Sequence, residues 1–249
     1  MVTIMNLTSK RTDVRHNETI EKKNDFIVEK SDASSRFYRL VTFPKFYDKE
    51  DFGDVLVEQI EDYLKLIQLK GPYHVLVVGI GNDSHTADSI GPATIKCLHV
   101  NLHLKRLGLP TTGNIISALE PGVLGETGIE TRRIVEAVTE EISPDLVVLI
   151  DSFVTKDEKE LAHTVVFTDE GIVPGSGLMG QNCKIDEQSL GIPVLTIGIP
   201  TAIEVHFSDK KDDSLAYLLS PSDIDIFVRD ISHILASCLN AIFLKDERD

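Results

Sequence analysis

Apolar residues recur along this chain in two rhythms. Between Asp51 and Lys70, the residues Val55, Ile60, Tyr63, Leu64 and Ile67 share one helical face, and Gly71-Pro72 ends the pattern. HVLVVGIGN at 74–82 is instead a continuous apolar run that stops at glycines, which predicts a strand buried on both faces. Helical spacing returns over 89–107 and closes at Gly108 and Pro110. NIISAL (114–119) predicts a second strand. An amphipathic helix follows over 127–142, with Ile129, Ile134, Val135 and Val138 inward. DLVVLID (145–151), HTVVFTD (163–169) and IPVLTIGIP (192–200) predict three further strands. The last helix spans 222–244, with Ile224, Phe227, Val228, Ile231, Leu235, Leu239 and Ile242 at helical spacing.

Apolar strands alternating with amphipathic helices predict an α/β fold: a mostly parallel central sheet, helices on both faces and right-handed crossovers. Residues 36–249 read as that single domain, with RFYRLVTFPKF (36–46) as an edge strand stopped by Pro44. Residues 1–35 are polar and charge-mixed and read as an N-terminal arm or pro-segment.

Charge narrows the partners. Asp and Glu number 40 against 25 Lys and Arg, a formal charge of −15. Such a surface repels nucleic acid phosphates and anionic membranes and suits a basic protein substrate. Cys97, Cys183 and Cys238 are widely spaced, without CxxC, which argues against a disulfide framework or a zinc ribbon. The first residues lack a signal-peptide pattern, and every apolar run reads as strand-length, too short for a bilayer. A cytoplasmic protein with no membrane or nucleic acid partner is expected.

In such a sheet, function collects beyond the carboxyl ends of the strands. The unusual segments lie there: GNDSHTADSIGP, EPGVLGETG, DSFVTKD and PTAIEVHFSD. Asp88 falls where a helix should begin, so it reads equally as a helix cap or as a catalytic acid. Asp151 follows a buried strand and reads equally as a turn acid or as the second carboxylate of a pair. If the two meet, one can activate water while the other protonates the leaving group. The glycine-rich stretch 168–184 could hold an extended peptide by backbone hydrogen bonds. Asn82, Glu120, Gly175, Ser176, Gly177 and Glu204 are the candidate substrate contacts.

Other chemistries fit poorly. GIGNDS lacks the third glycine of a dinucleotide loop. His99 and His103 have metal-ligand spacing, but VNL between them lacks the Glu of HExxH. His85 and His206 read as exposed loop histidines. PGSGL is not a strand-borne nucleophile elbow, and no cysteine pairs with a histidine. No metal and no cofactor are expected.

The segments VVGIGNDSHTADSIGP, SALEPGVLGETGIET, PDLVVLID, DEGIVPGSG, LGIPVLTIGIPT and LLSPSDIDIFV, in this order, resemble the spore germination protease family. The resemblance covers about residues 71–244. It implies a cytoplasmic endopeptidase of the forespore or spore core that degrades small acid-soluble spore proteins. It implies a tetramer made as a zymogen, an atypical aspartic mechanism, and Asp88 and Asp151 as the catalytic pair. RTD at 11–13 places the family's self-cleavage point at Asp13-Val14. The chain resembles a divergent, shortened member: Glu204 stands where the family usually carries aspartate, and the stretch after PGSG differs. Hydrogenase maturation endopeptidases share a similar glycine–acid turn and a related fold, so a hydrogenase-maturation-protease-like architecture is expected. A metal-reading endopeptidase of that type, or an inactive substrate-binding homologue, is the alternative function.

Overall fold

Alternate residues of each central strand serve opposite faces of one ten-stranded sheet. The computed structural model describes residues 3–4, 18–31, 36–111, 113–175, 183–206 and 216–244. The strands are β1 (Thr3–Ile4), β2 (Glu18–Lys23), β3 (Phe26–Ser31), β4 (Tyr38–Thr42), β5 (His74–Gly79), β6 (Ile115–Leu119), β7 (Leu146–Thr155), β8 (Thr164–Thr168), β9 (Val194–His206) and β10 (Ala216–Leu219). The helices are α1 (Lys49–Leu66), α2 (Ile90–Lys96), α3 (Leu102–Arg106), α4 (Leu124–Thr127), α5 (Thr131–Ile142), α6 (Glu187–Leu190) and α7 (Ile224–Phe243).

The strand order is β2-β3-β4-β8-β9-β7-β5-β6, with β1 beside β7 and β10 beside β9. The fold is α/β, but the sheet is mixed rather than mostly parallel. Among the described residues, five of the nine strand pairings run antiparallel. The predicted parallel block survives as β6-β5-β7-β9. The antiparallel wing β2-β3-β4-β8 is what the sequence reading missed.

That wing draws in residues 18–31, expected to be an arm. The β2–β3 hairpin turns at Asn24-Asp25, where Asn24 adopts φ 52°. Phe26 and Val28 point into the core, and Phe26 stacks on Phe52 of α1 with ring centroids 5.4 Å apart. Strand β4, expected at an edge, lies between β3 and β8.

Val75, Val77, Val148 and Ile150 face α1, α2 and α7, where Leu56, Ile60, Ile90, Ile231, Leu235 and Leu239 fill the core. Leu76, Val78, Val147 and Leu149 face the other way, onto Val135 and Val138 of α5. Each such apolar side chain contributes roughly 1.5–3 kcal/mol by leaving water. Asp48 starts α1 by accepting from the N–H groups of Glu50 (2.9 Å) and Asp51 (3.1 Å), satisfying orphan donors of the first turn.

Two helix expectations need correction. The predicted helix 89–107 is split into α2 and α3. Asn101, between them, donates its side-chain amide to the Asn114 carbonyl (3.0 Å) and accepts from the Ile116 N–H (2.7 Å). It thereby covers the outer edge of β6, which a continuous helix could not do. The predicted helix 127–142 starts only at Thr131, because Gly128 at φ 69° closes the separate turn α4, and Ile129 is exposed. Helix α7 also corrects the expectation of strand-length apolar runs alone. By length and composition it could cross a membrane, but half of it is buried within this fold.

Candidate active site

Three glycines bring α2 against the carboxyl ends of β5 and β7. A Cβ on Gly79 would lie 2.4 Å from the Gly91 carbonyl oxygen. One on Gly91 would lie 2.3 Å from the carbonyl oxygen of Ile80 and 2.6 Å from that of Ile150. These distances are far inside van der Waals contact, so only glycine permits the approach. Gly81 turns the chain off β5 at φ 129°, and the Asn82 N–H donates to the Asp88 carbonyl at 2.9 Å. The loop 82–88 is thus closed on itself. The Asp88 N–H donates to the His85 carbonyl at 2.7 Å, Asn82 Oδ1 accepts from the Ser84 N–H, and the Thr201 hydroxyl of β9 donates to the Ala87 carbonyl.

This closure decides how Asp88 is presented. It ends a single 3-10 turn (Thr86–Asp88), and Ser89, not Asp88, occupies the cap position of α2. The helix-cap explanation of Asp88 therefore does not hold. Its side chain is buried, and burial holds its carboxyl above the ordinary carboxylate range. A hydrogen bond from the Asn82 backbone and the nearby His85 oppose this without reversing it.

Asp151 lies within β7 rather than after it, because the strand continues to Thr155. By alternation it shares the face of Val147 and Leu149, toward α5. Asp151 is buried, and its Oδ1 accepts from the Ser152 N–H at 2.8 Å. Ser152 points to the opposite face, where its Oγ accepts from the Ile90 N–H at 3.4 Å. Gly198 of β9 is level with Asp151, and its missing side chain leaves room for the Phe153 ring.

Asp88 and Asp151 line the same cavity, of about 600 Å³, a size typical of ligand-binding clefts. Asn82 and Gly175, both expected as substrate contacts, line it too. Glu120 and Glu204 do not. Glu120 is exposed at the end of β6, and Glu204 sits far along β9, where its Oε1 meets His206 Nε2 at 2.7 Å. Ser176, Gly177, Asp13 and Val14 lie outside the described residues.

The opposite wall comes from the loop after β6 and the start of α5: Val123, Leu124, Glu126, Glu130, Thr131 and Arg132. The break between α4 and α5 folds this stretch over the strand ends. Arg132 is half-buried there and donates from Nε to Glu136 at 2.6 Å. His85 and Cys183 complete the rim. No sequence motif marked Arg132; only the position of α5's first turn above the sheet edge does. Among the described residues, no cluster of His, Cys, Asp and Glu has metal-holding geometry.

The family model described as germination protease matches residues 46–220 of this chain. The chain belongs to the germination protease family. The germination protease of Caldanaerobacter subterraneus subsp. tengcongensis is 42% identical over 143 residues, covering 56% of this chain and 44% of that protein. That of Clostridium perfringens is 37% identical over 175 residues, 67% and 53% of the two chains. That of Bacillus velezensis is 34% identical over 194 residues, 71% and 53%. The chain spans about half the length of the curated relatives it matches. The matched family region contains the Gly81 turn, both acids and the Glu126–Arg132 wall, so the cavity is built wholly from family sequence.

Proposed function

We propose that this chain is an endopeptidase that hydrolyses small acid-soluble spore proteins during germination, with Asp88 and Asp151 as its catalytic acids. The observation that carries the reading is their shared cavity: two buried carboxyl groups, one in the turn that follows β5 and one within the adjacent parallel strand β7, open onto one cleft.

The chemistry follows from their surroundings. Burial favours the protonated form of Asp88 and makes it the acid. In this scheme Asp151 serves as the base and takes a proton from water as the water oxygen bonds to the scissile carbonyl carbon. Asp88 then gives its proton to the amide nitrogen as the C–N bond breaks. One proton passes from Asp151 back to Asp88, directly or through solvent, to restore the starting state. The Arg132 side chain on the facing wall is placed to orient the peptide or to offset negative charge in the cleft. An acidic protein of formal charge −15 also attracts basic segments of a substrate. By family resemblance the working form is a tetramer of the spore core, processed at Asp13-Val14.

The test is to incubate the purified chain with a small acid-soluble spore protein and identify new termini by mass spectrometry. Discrete internal cleavage that persists in chelator supports the proposal. An intact substrate, or cleavage that requires added nickel, contradicts it.

A further inference from the structure

Strand β7 outruns its neighbour β5. The β5–β7 ladder ends where Gly79 pairs with Ile150 and the Ile80 N–H donates to the Ile150 carbonyl at 2.8 Å. The chain then leaves the sheet through the Gly81 turn, while β7 continues for five more residues to Thr155. On its other side β7 stays paired with β9 to its end. Backbone groups alternate sides along a strand. Ile150 faces the β5 side, so Ser152 and Val154 present theirs to the same side, beyond the point where β5 has gone. This opens a gap in the ladder beside the acids, and a short piece of this same chain fills it: Thr3 pairs with Phe153 and Ile4 with Val154, parallel to β7.

We infer that this stretch of β7 is a strand-addition site for extended peptide, of which β1 is the intramolecular occupant. The inference rests on the peptidase reading for its substrate. Main-chain hydrogen bonds supply such binding, and they accept varied sequences. The register says which part of a substrate docks. In a parallel pair, a residue two positions before the one opposite Phe153 falls level with Asp151. The docked residues therefore lie on the carboxyl-terminal side of the bond presented to the acids, and recognition there is by backbone rather than by side chain. The two-residue length of β1 suits an exchangeable occupant, since so short a ladder adds little to the stability of the sheet.

The test compares the full chain with a variant lacking residues 1–6. The probe is a synthetic peptide of residues 1–8, with a version N-methylated through its second to fifth residues as control. Amide hydrogen exchange over 151–156 is read by mass spectrometry, and peptide binding by fluorescence anisotropy. Truncation should raise exchange at Val154 by about tenfold or more, and the peptide should restore protection. The N-methylated peptide should bind about tenfold more weakly or worse, because its backbone donors are gone. Exchange indifferent to truncation, or equal binding of both peptides, overturns the inference. The exchange and binding readouts need no turnover, so an inactive protein that still binds the peptide contradicts the peptidase reading and leaves the docking site standing.

Discussion

The Cβ that Gly81 lacks would fall 2.0 Å from the carbonyl oxygen of Asp88. Gly81 also sits at φ 129°, a region closed to ordinary L-residues. The two residues are therefore coupled through the backbone, and the position of the Asp88 carboxyl depends on the absence of a side chain seven residues earlier.

Gly81→Ala should consequently damage the site more than the fold. The loop 82–88 must reopen to admit the methyl group, which displaces Asp88 by a sizeable fraction of an ångström. Misplacement on that scale costs about 100-fold in rate. Steady-state peptidase assays beside far-ultraviolet circular dichroism check this: activity falls steeply while the helix signal persists.

Asp88 should also cost the fold stability at neutral pH. Its folded carboxyl titrates above the ordinary value of 3.8 because it is buried. Between 3.8 and that higher value the folded state holds more proton than the unfolded state, so stability falls as pH rises through the window. Asp88→Asn carries no such charge. Its Tm should exceed the parent's at neutral pH, and the difference should shrink as pH falls toward 3.8. Thermal scans across pH supply the check; a variant less stable than the parent at neutral pH would contradict it.

Asn101→Ala should uncover the edge of β6. It leaves the buried Ile116 N–H without the Asn101 acceptor and the Asn114 carbonyl without its amide donor. An unsatisfied buried group of this kind costs about 1–3 kcal/mol. Urea denaturation should show a lowered midpoint with an unchanged slope, and the bared edge should raise the tendency to associate through strands.

The parallel half of the fold was legible because each of its strands is built on a short, largely apolar run. The antiparallel wing was not, for a reason visible in β2–β3. Phe26 and Val28 alternate toward the core, but Ile27 between them is exposed, and the charged residues Glu21, Lys22, Lys23, Glu29 and Lys30 made the whole stretch read as solvated arm. Strand direction was also hidden: HTVVFTD shows that a strand exists, not that β8 runs against β9. Asp88 and Asp151 stood out as candidates because each lies beyond the apolar run of a central strand, although β7 continues through Asp151 to Thr155. The far wall did not. Arg132 and Glu130 reach the cavity only because Gly128 breaks the helix before them, and a single glycine in a polar stretch does not announce that geometry. Glu204 lies away from the cavity because β9 continues as a strand to His206, past a register shift at Thr201, instead of turning over the sheet edge.

In the proposed mechanism the Asp88 and Asp151 carboxyl groups act as one unit. The direct measurement is the peptidase rate of Asp88→Asn, Asp151→Asn and the double variant against a small acid-soluble spore protein, with folding confirmed for each. Residues that share a proton-transfer task lose function together, so each single change should cost about a thousandfold or more, and the double change little beyond that. Either single variant cleaving at the parent's rate would contradict the account.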